Sequence, residues 1–266
     1  MAAIAARRGI RTQNRIINAI NKRDKLGEEI IKFIKNSLGL EFQKCHAEHG
    51  EMGKKADVKI SCDDTLILIS VKEFDVRADY NHIERNFVDI YAQRWKMPSD
   101  VYEALKLYVG EVDQNGNPIS IENLEREAEH LNTSPGRLSK RRRKLLNQMD
   151  KQKIEAIKKF FKENKQKILK EAFLGEEDIK FFIIAKRDAG KVCYYILPAE
   201  KVLSVYESGG IEITRRGNLK VGEVTLQRKG GDHRTARGWR NRSASQLQFK
   251  IRPSLCIRDS QPVFCE

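Results

Sequence analysis

Apolar residues recur at helical spacing from Arg15 to Leu38, through Ile16, Ile17, Ile20, then Leu26, Ile30, Ile31, Ile34 and Leu38. With Asp24 able to cap a second segment, this predicts one amphipathic helix or a helix pair. From Asp57 the period shortens to two. Val58, Ile60 and Cys62 alternate with polar residues, Asp63-Asp64 interrupts, and LILISVK resumes as a strand apolar on both faces, as in the middle of a sheet. Helical spacing returns from Asp79 to Met97, through Ile83, Phe87, Ile90, Tyr91 and Trp95 with Asp79 as cap, then in a short helix Val101 to Val109. DQNGNP at Asp113 to Pro118 marks a turn, and Lys151 to Phe173 reads as a lysine-rich amphipathic helix. Alternation then returns in Ile179 to Lys186 and Val192 to Leu197, around the turn Arg187 to Gly190. Pro198 to Tyr206 predicts a short helix, and Ile211 to Thr214, Glu223 to Arg228 and Gln246 to Ile251 predict further strands. The pattern is that of an α/β (α+β) body. Its central sheet carries the N-terminal hairpin, and a C-terminal strand layer presents a loop.

A two-residue turn at Asp63-Asp64 puts Asp57 directly opposite Ser70, and the two-residue strand period puts Lys72 on the face of Ser70. Asp57, Ser70 and Lys72 therefore converge. A carboxylate and a lysine at a sheet edge suit divalent-metal phosphodiester cleavage. Asp57 and the carbonyl of Val71 offer hard oxygen ligands to Mg²⁺, and Lys72 a cation for the attacking water or the phosphate. The placement of Asp57 and Ser70-Val71-Lys72 resembles a PD-(D/E)xK nuclease core, with serine where the acid usually stands. Glu28 on the preceding helix and Glu84 on the following one are the candidate second carboxylates. Three residues of this kind also occur on an ordinary surface hairpin. Cys45, His46 and His49 form one short cluster, short of the four-ligand spacing of a zinc site.

Charge changes the picture most between the last two strands. The stretch from Arg228 to Arg242 carries Arg228, Lys229, Arg234, Arg237, Arg240 and Arg242 against one acid, Asp232, and Gly230-Gly231 lets the backbone turn sharply. Arginines there can fork onto guanine O6 and N7, and Gln227, Gln246 and Gln248 can address base edges. A solvated basic loop is the plainer alternative. A second basic run, RLSKRRRK at Arg137 to Lys144, reads as a solvated face or a phosphate track. The whole chain has 51 Lys and Arg against 37 Asp and Glu, a formal net charge of +14 and a pI near 9.5, which favours polyanionic partners. Its 266 residues suffice for one large or two small domains. No apolar run is long enough to span a bilayer, and no secretory h-region opens the chain. The five cysteines, odd in number and without a CxxC pair, read as reduced thiols in a cytoplasm.

Gln227-Arg228-Lys229-Gly230-Gly231-Asp232, followed by Leu247-Gln248-Phe249-Lys250-Ile251, resembles the signature of type II restriction endonucleases of the HinPI and MspI kind. GGIEITRRGNLKVGEVTL and the stretch Asn81 to Glu111, with Tyr91, Trp95-Lys96 and Gly110-Glu111, are similar to the same family. The resemblance implies a single PD-(D/E)xK restriction-endonuclease-like domain over 1–266, with a central mixed sheet flanked by helices. About 12–110 would be the catalytic half, and about 178–253 a strand layer with the DNA-recognition loop. It also implies Asp57 as metal-binding aspartate and Lys72 as catalytic lysine, with Ser70 where relatives carry Gln or Asn. The implied activity is Mg²⁺-dependent cutting of both strands of a short G·C palindrome, such as GCGC or CCGG, leaving a 5′ overhang. Gln227, Arg228, Lys229 and Asp232 become candidate base readers, with Gln248 and Lys250 beside them. His233 to Gln246 is several residues longer than in relatives, so Arg234, Arg237, Trp239, Arg240 and Arg242 could add an outer contact or insert Trp239 against the duplex. The expected partner is double-stranded DNA, with a cognate methyltransferase in the same restriction-modification system, a possible homodimer and no membrane. A repair or structure-specific nuclease on the same core, and a non-catalytic DNA-binding protein, are the alternatives.

Overall fold

The computed structural model describes residues 2–229 and 245–266. The chain divides into two compact units, the first made of Met1–Asn81, Leu169–Tyr206 and Ile251–Glu266, the second of His82–Ile168 and Glu207–Lys250. Both are discontinuous in sequence.

The first unit opens with the expected helix pair, α1 (Ala2–Lys22) and α2 (Lys25–Leu38). The Asp24 carboxylate accepts from the Gly27 N–H at 3.1 Å and satisfies one of the free donors at the start of α2. Gly27 is fixed by space, since a Cβ there would lie 2.2 Å from the Ala19 carbonyl oxygen of α1. The apolar stripes of both helices, among them Ile16, Ile20, Leu26, Ile30 and Ile34, close over one face of a six-stranded sheet. Its order is β1 (Cys45–His49), β2 (Val58–Cys62), β3 (Thr65–Asp75), β5 (Ile179–Asp188), β6 (Lys191–Pro198), β11 (Phe264–Cys265). The central strand β3 runs antiparallel to β2 and parallel to β5, so the sheet is mixed. Ile67, Ile69 and Val71 face the helix pair, and Ser70 and Phe74, on the alternate positions, are buried as well. That double burial is why β3 reads as apolar on both sides.

Arg15 seats α1 on this unit. Its guanidinium reaches the carboxylates of Asp24 and Glu266, each at 2.7 Å, and Tyr194 donates to Glu266 at 2.8 Å. Burial opposes ionisation of Glu266, and the hydrogen bonds from Arg15 and Tyr194 outweigh it, so its pKa lies below the ordinary 4.5. A carboxylate lowered by folding contributes stability above its unfolded pKa and loses it as pH falls through the folded one. Arg15→Met is therefore expected to lower the unfolding midpoint at pH 7 and to matter progressively less below about pH 4. Paired thermal melts at pH 7 and 3 check this, and an equal deficit at both would refute it.

The second unit contains a five-stranded sheet in the order β4 (Asn81–Phe87), β10 (Gln246–Ile251), β9 (Val224–Arg228), β8 (Leu219–Val221), β7 (Ile211–Ile213). Its helices are α3 (Val88–Trp95), α4 (Ser99–Val109), α5 (Ile121–His130), α6 (Pro135–Arg142) and α7 (Lys151–Glu163). Tyr91 and Trp95 stack at 4.4 Å, and Phe249 and Phe161 meet Trp95 edge-on, so these aromatics are core as their spacing predicts.

Three expectations are corrected. Asp79 to Met97 is not one helix, because 81–87 pair with β10 as a strand and only Val88–Trp95 is helical. Asp79 caps no helix there; its carboxylate accepts from the N–H and hydroxyl of Ser254. Lys151 to Phe173 is broken at Asn164, which joins α7 to α8 (Lys165–Leu174) and donates to the Phe160 carbonyl at 2.9 Å. The five cysteines are not all reduced thiols. Cys45 is bonded to Cys62 and Cys193 to Cys265, directly opposite on neighbouring antiparallel strands, and only Cys256 is free. Sequence separations of 17 and 72 carry no hint of these pairs; strand register alone sets them face to face. The short helix expected over Pro198 to Tyr206 is α9 (Ala199–Glu207). Among the described residues no helix is long and apolar enough to cross a membrane.

Candidate functional site

The β2–β3 hairpin has the register that the sequence predicts, with Val58 opposite Ile69 and Cys62 opposite Thr65, and Asp63 takes the left-handed turn conformation at φ 46°. Asp57, one residue before β2, is tied to β3 by its N–H, which donates to Ile69 O at 2.9 Å. Its Oδ2 accepts from Val71 N–H at 2.7 Å, Ser70 Oγ at 3.0 Å and Lys72 Nζ at 3.3 Å. Lys72 Nζ also donates to Ser70 Oγ at 2.7 Å and to the Val71 carbonyl at 3.1 Å. Asp57, Ser70 and Lys72 thus meet, with side chains of Asp57 and Lys72 only 26% and 16% exposed. Such partial burial strengthens the attraction between lysine and carboxylate over that of a solvated pair.

Position 50 belongs to this geometry. Gly50 N–H donates to the Asp57 carbonyl at 3.0 Å, and a Cβ on Gly50 would lie 1.8 Å from the Ala56 carbonyl oxygen. Gly50→Ala therefore has to displace the backbone that carries Asp57. The expected cost is about 1–3 kcal/mol of stability, as for an overpacked site, with a loss of activity beyond what the melting shift explains. A variant with unchanged activity and midpoint would show that the strand end yields freely.

Two residues unforeseen in the sequence complete the surroundings. Gln13 of α1 donates from Nε2 to Asp57 Oδ1 at 2.9 Å. Glu73, next to Lys72, has a side chain 7% exposed and is bound by Arg187 Nε at 3.0 Å and by the Thr12 hydroxyl. No periodicity could have flagged Gln13, because its role depends on where α1 crosses the strand ends. The two candidate second carboxylates have these surroundings. Glu28 lines a cleft of about 440 Å³ with Arg23, Lys32 and Lys35, and Glu84, in the second unit, pairs with Arg94 at 2.5 Å. Among the described residues the Asp57 carboxylate accepts from the side chains of Gln13, Ser70 and Lys72 and from the Val71 N–H.

Among the described residues no group of three or more His, Cys, Asp and Glu is arranged to hold a metal ion. The oxygen donors at Asp57 still fit one kind of ion. Mg²⁺ binds through one or two carboxylates and completes its shell with water and substrate phosphate, and the Asp57 carboxylate with the Val71 carbonyl is a donor set of that type. It does not fit zinc, and the Cys45 thiol weighed for such a site is in a disulfide.

In the second unit, β9 and β10 place Gln227 directly opposite Gln248 and Thr225 opposite Lys250. The adjacent positions alternate away, so Arg228 shares a face with Leu226, Leu247 and Phe249. Its guanidinium donates to the carbonyls of Tyr108 and Lys144, each at 3.2 Å, and lies 5.4 Å from the Tyr108 ring centre. The Tyr108 hydroxyl accepts from Arg228 N–H at 3.3 Å and donates to Asn218 at 2.8 Å. Arg143, from the basic run expected to be solvated, is buried instead. It donates to the Lys229 carbonyl at 3.4 Å, and its stem packs where a Cβ on Gly110 would be, 2.3 Å away. Burial pushes the Arg143 pKa down to about 9, and the neighbouring Arg228 charge adds to the shift. Burial likewise lowers the pKa of Arg228 and Lys250. Asp232, Arg234, Arg237, Trp239, Arg240 and Arg242 lie outside the described residues.

Residues 128–257 match the family described as R.HinP1I restriction endonuclease. The match spans just under half of the chain, and over those residues the chain is similar to that family. The matched residues contain β5 to β10 and the QRKGGD stretch; Asp57 and Lys72 precede them. The fold extends the likeness across the chain. A structure of restriction endonuclease MspI in complex with its cognate DNA superimposes with a TM-score of 0.56, covering 92% of this chain and 90% of that one at 11% identity. Among curated proteins none matches the chain's sequence.

Proposed function

We propose that the protein is a type II site-specific deoxyribonuclease that binds duplex DNA and hydrolyses both strands within a short G·C-rich palindrome, GCGC- or CCGG-like, in a Mg²⁺-dependent reaction that leaves 5′ overhangs. The observation that carries the reading is the convergence of Asp57, Ser70 and Lys72 at the end of a buried hairpin. Asp57 and the Val71 carbonyl would hold the ion, which when bound supplies Lewis-acid polarisation of the phosphoryl oxygen and a more acidic water. The chain's own residues do the rest. Water attacks the phosphorus in line with the 3′ oxygen and gives up its proton to solvent, the P–O3′ bond breaks, the 3′ oxygen takes a proton from solvent to leave as a hydroxyl, and a 5′ phosphate remains. The Lys72 ammonium offers protons in the same place, to the phosphate oxygens as negative charge builds on them. Ser70 keeps Lys72 and Asp57 in register, donating to the carboxylate while accepting from the ammonium.

Sequence reading falls to groups of the second unit. The opposed amides of Gln227 and Gln248, with Lys229 and Lys250, suit base edges and phosphates, and Asp232 and the basic residues of 234–242 add to them in this reading. Arg228 and Arg143 support the strand from which that loop departs. The reading places the enzyme in the cytoplasm as a possible homodimer, in a restriction-modification system whose methyltransferase protects the same site.

Digestion of sequenced plasmid DNA with Mg²⁺ and with EDTA, followed by sequencing of the ends, tests the proposal. Discrete fragments ending within one G·C palindrome, only with the ion, are expected. A smear would replace it with a non-specific or repair nuclease, and binding without cleavage with a non-catalytic protein.

A further inference from the structure

The two oxygens of Asp57 are unequally held. Oδ2 takes its donors from β3, namely Val71 N–H, Ser70 Oγ and Lys72 Nζ. Oδ1 takes its one donor among the described residues, Gln13 Nε2 at 2.9 Å, from α1. Gln13 is therefore what fixes the plane of the carboxylate from outside the sheet. The helix that carries it is firmly seated here, since the residues on either side of Gln13 are also bonded. Thr12 reaches Glu73, Asn14 Oδ1 lies 2.7 Å from His49 Nε2, and Arg15 reaches Asp24 and Glu266. The nearby Glu73 carboxylate is engaged by Arg187 and Thr12. A neutral amide thus stands beside Asp57 where a second acid is expected.

We propose that Gln13 is the positioning residue of the cleavage site, holding Asp57 Oδ1 at the angle from which it binds a divalent cation and substituting for a second carboxylate. This rests on the nuclease reading above. An amide orients without adding charge. The DNA-free protein should then bind the ion weakly, with substrate phosphate supplying the missing negative charge. Outer partners of ligating carboxylates typically contribute about 10–100-fold to metal affinity or activity.

The test uses the full chain as wild type, Gln13→Ala and Gln13→Glu. Mn²⁺ binding without DNA is followed by the resonance signal of the free ion, and kcat and KM are measured on plasmid DNA. Gln13→Ala is expected to weaken Mn²⁺ binding and lower kcat by about 10–100-fold, with KM and the melting midpoint nearly unchanged. Gln13→Glu should bind Mn²⁺ about tenfold more tightly than wild type, because ligand charge sets affinity for hard cations, and should restore cleavage. A merely structural role predicts loss in both variants with a lowered midpoint. That result overturns the inference, as does a Gln13→Ala enzyme that binds Mn²⁺ and cuts like wild type. If wild type itself neither cuts DNA nor binds Mn²⁺, the nuclease reading fails first and the inference with it; cleavage by wild type with indifferent variants removes the inference alone.

Discussion

Asp57→Ala and Lys72→Ala are each expected to lower the cleavage rate by about 10²–10⁴-fold while leaving DNA affinity within a few-fold of wild type. Among the described residues Asp57 is the carboxylate that pairs with Lys72, and it also accepts from Ser70. Its removal also deprives the Val71 N–H and the Ser70 hydroxyl of an acceptor, a structural loss that has to be separated from the chemical one. Asp57→Asn does so, since an amide oxygen keeps an acceptor at that position without the charge. The asparagine variant should melt nearer to wild type than the alanine variant and still fail to cut. For Lys72, replacement by methionine keeps the stem and deletes the cation. Single-turnover cleavage on a short duplex, with binding measured in Ca²⁺, reads out both quantities. Cleavage within threefold of wild type in either alanine variant would remove that residue from the mechanism.

Arg228→Ala is expected to destabilise the protein by about 3 kcal/mol and to weaken cleavage at every site alike, whereas Gln227→Ala should leave stability nearly unchanged and relax base preference by about 1–3 kcal/mol. The difference follows from the alternation of β9. Arg228 is turned to the face of Leu226, Leu247 and Phe249, donates to two main-chain carbonyls and covers the Tyr108 ring, so alanine leaves those carbonyls and a void. Gln227 is on the other face, opposite Gln248. A library of cleavage sites with single base changes, scored against melting midpoints, distinguishes the roles. If Arg228→Ala kept its stability and lost discrimination at one base pair, the arginine would be a reader and its buried contacts incidental.

Much of this arrangement is legible in the residues. Alternation and the Asp63-Asp64 break give the hairpin register, and the register alone brings Asp57, Ser70 and Lys72 together. The QRKGGD and LQFK stretches carry the resemblance, and the matched residues 128–257 include both. Strand β4 was hidden because Asn81–Phe87 carries apolar residues at a spacing a helix also satisfies, and its pairing with β10, distant in sequence, decides the matter. The two cysteine bridges were equally hidden, since each joins residues that only become neighbours when strands pair.

The sequence by itself determined the helix pair, the hairpin with its register, the apolar core positions and the basic charge, because these depend on local period and composition. Tertiary structure decided which charged groups serve chemistry and which serve packing. Arg143 and Arg228 look like solvated cations in the chain and are buried supports in the fold. Gln13 looks like one polar position of an amphipathic helix and is the residue on Asp57 Oδ1. The physical reason is the same in each case. A long polar side chain has no intrinsic destination, and the carbonyl or carboxylate that receives it is supplied by a segment far away in sequence.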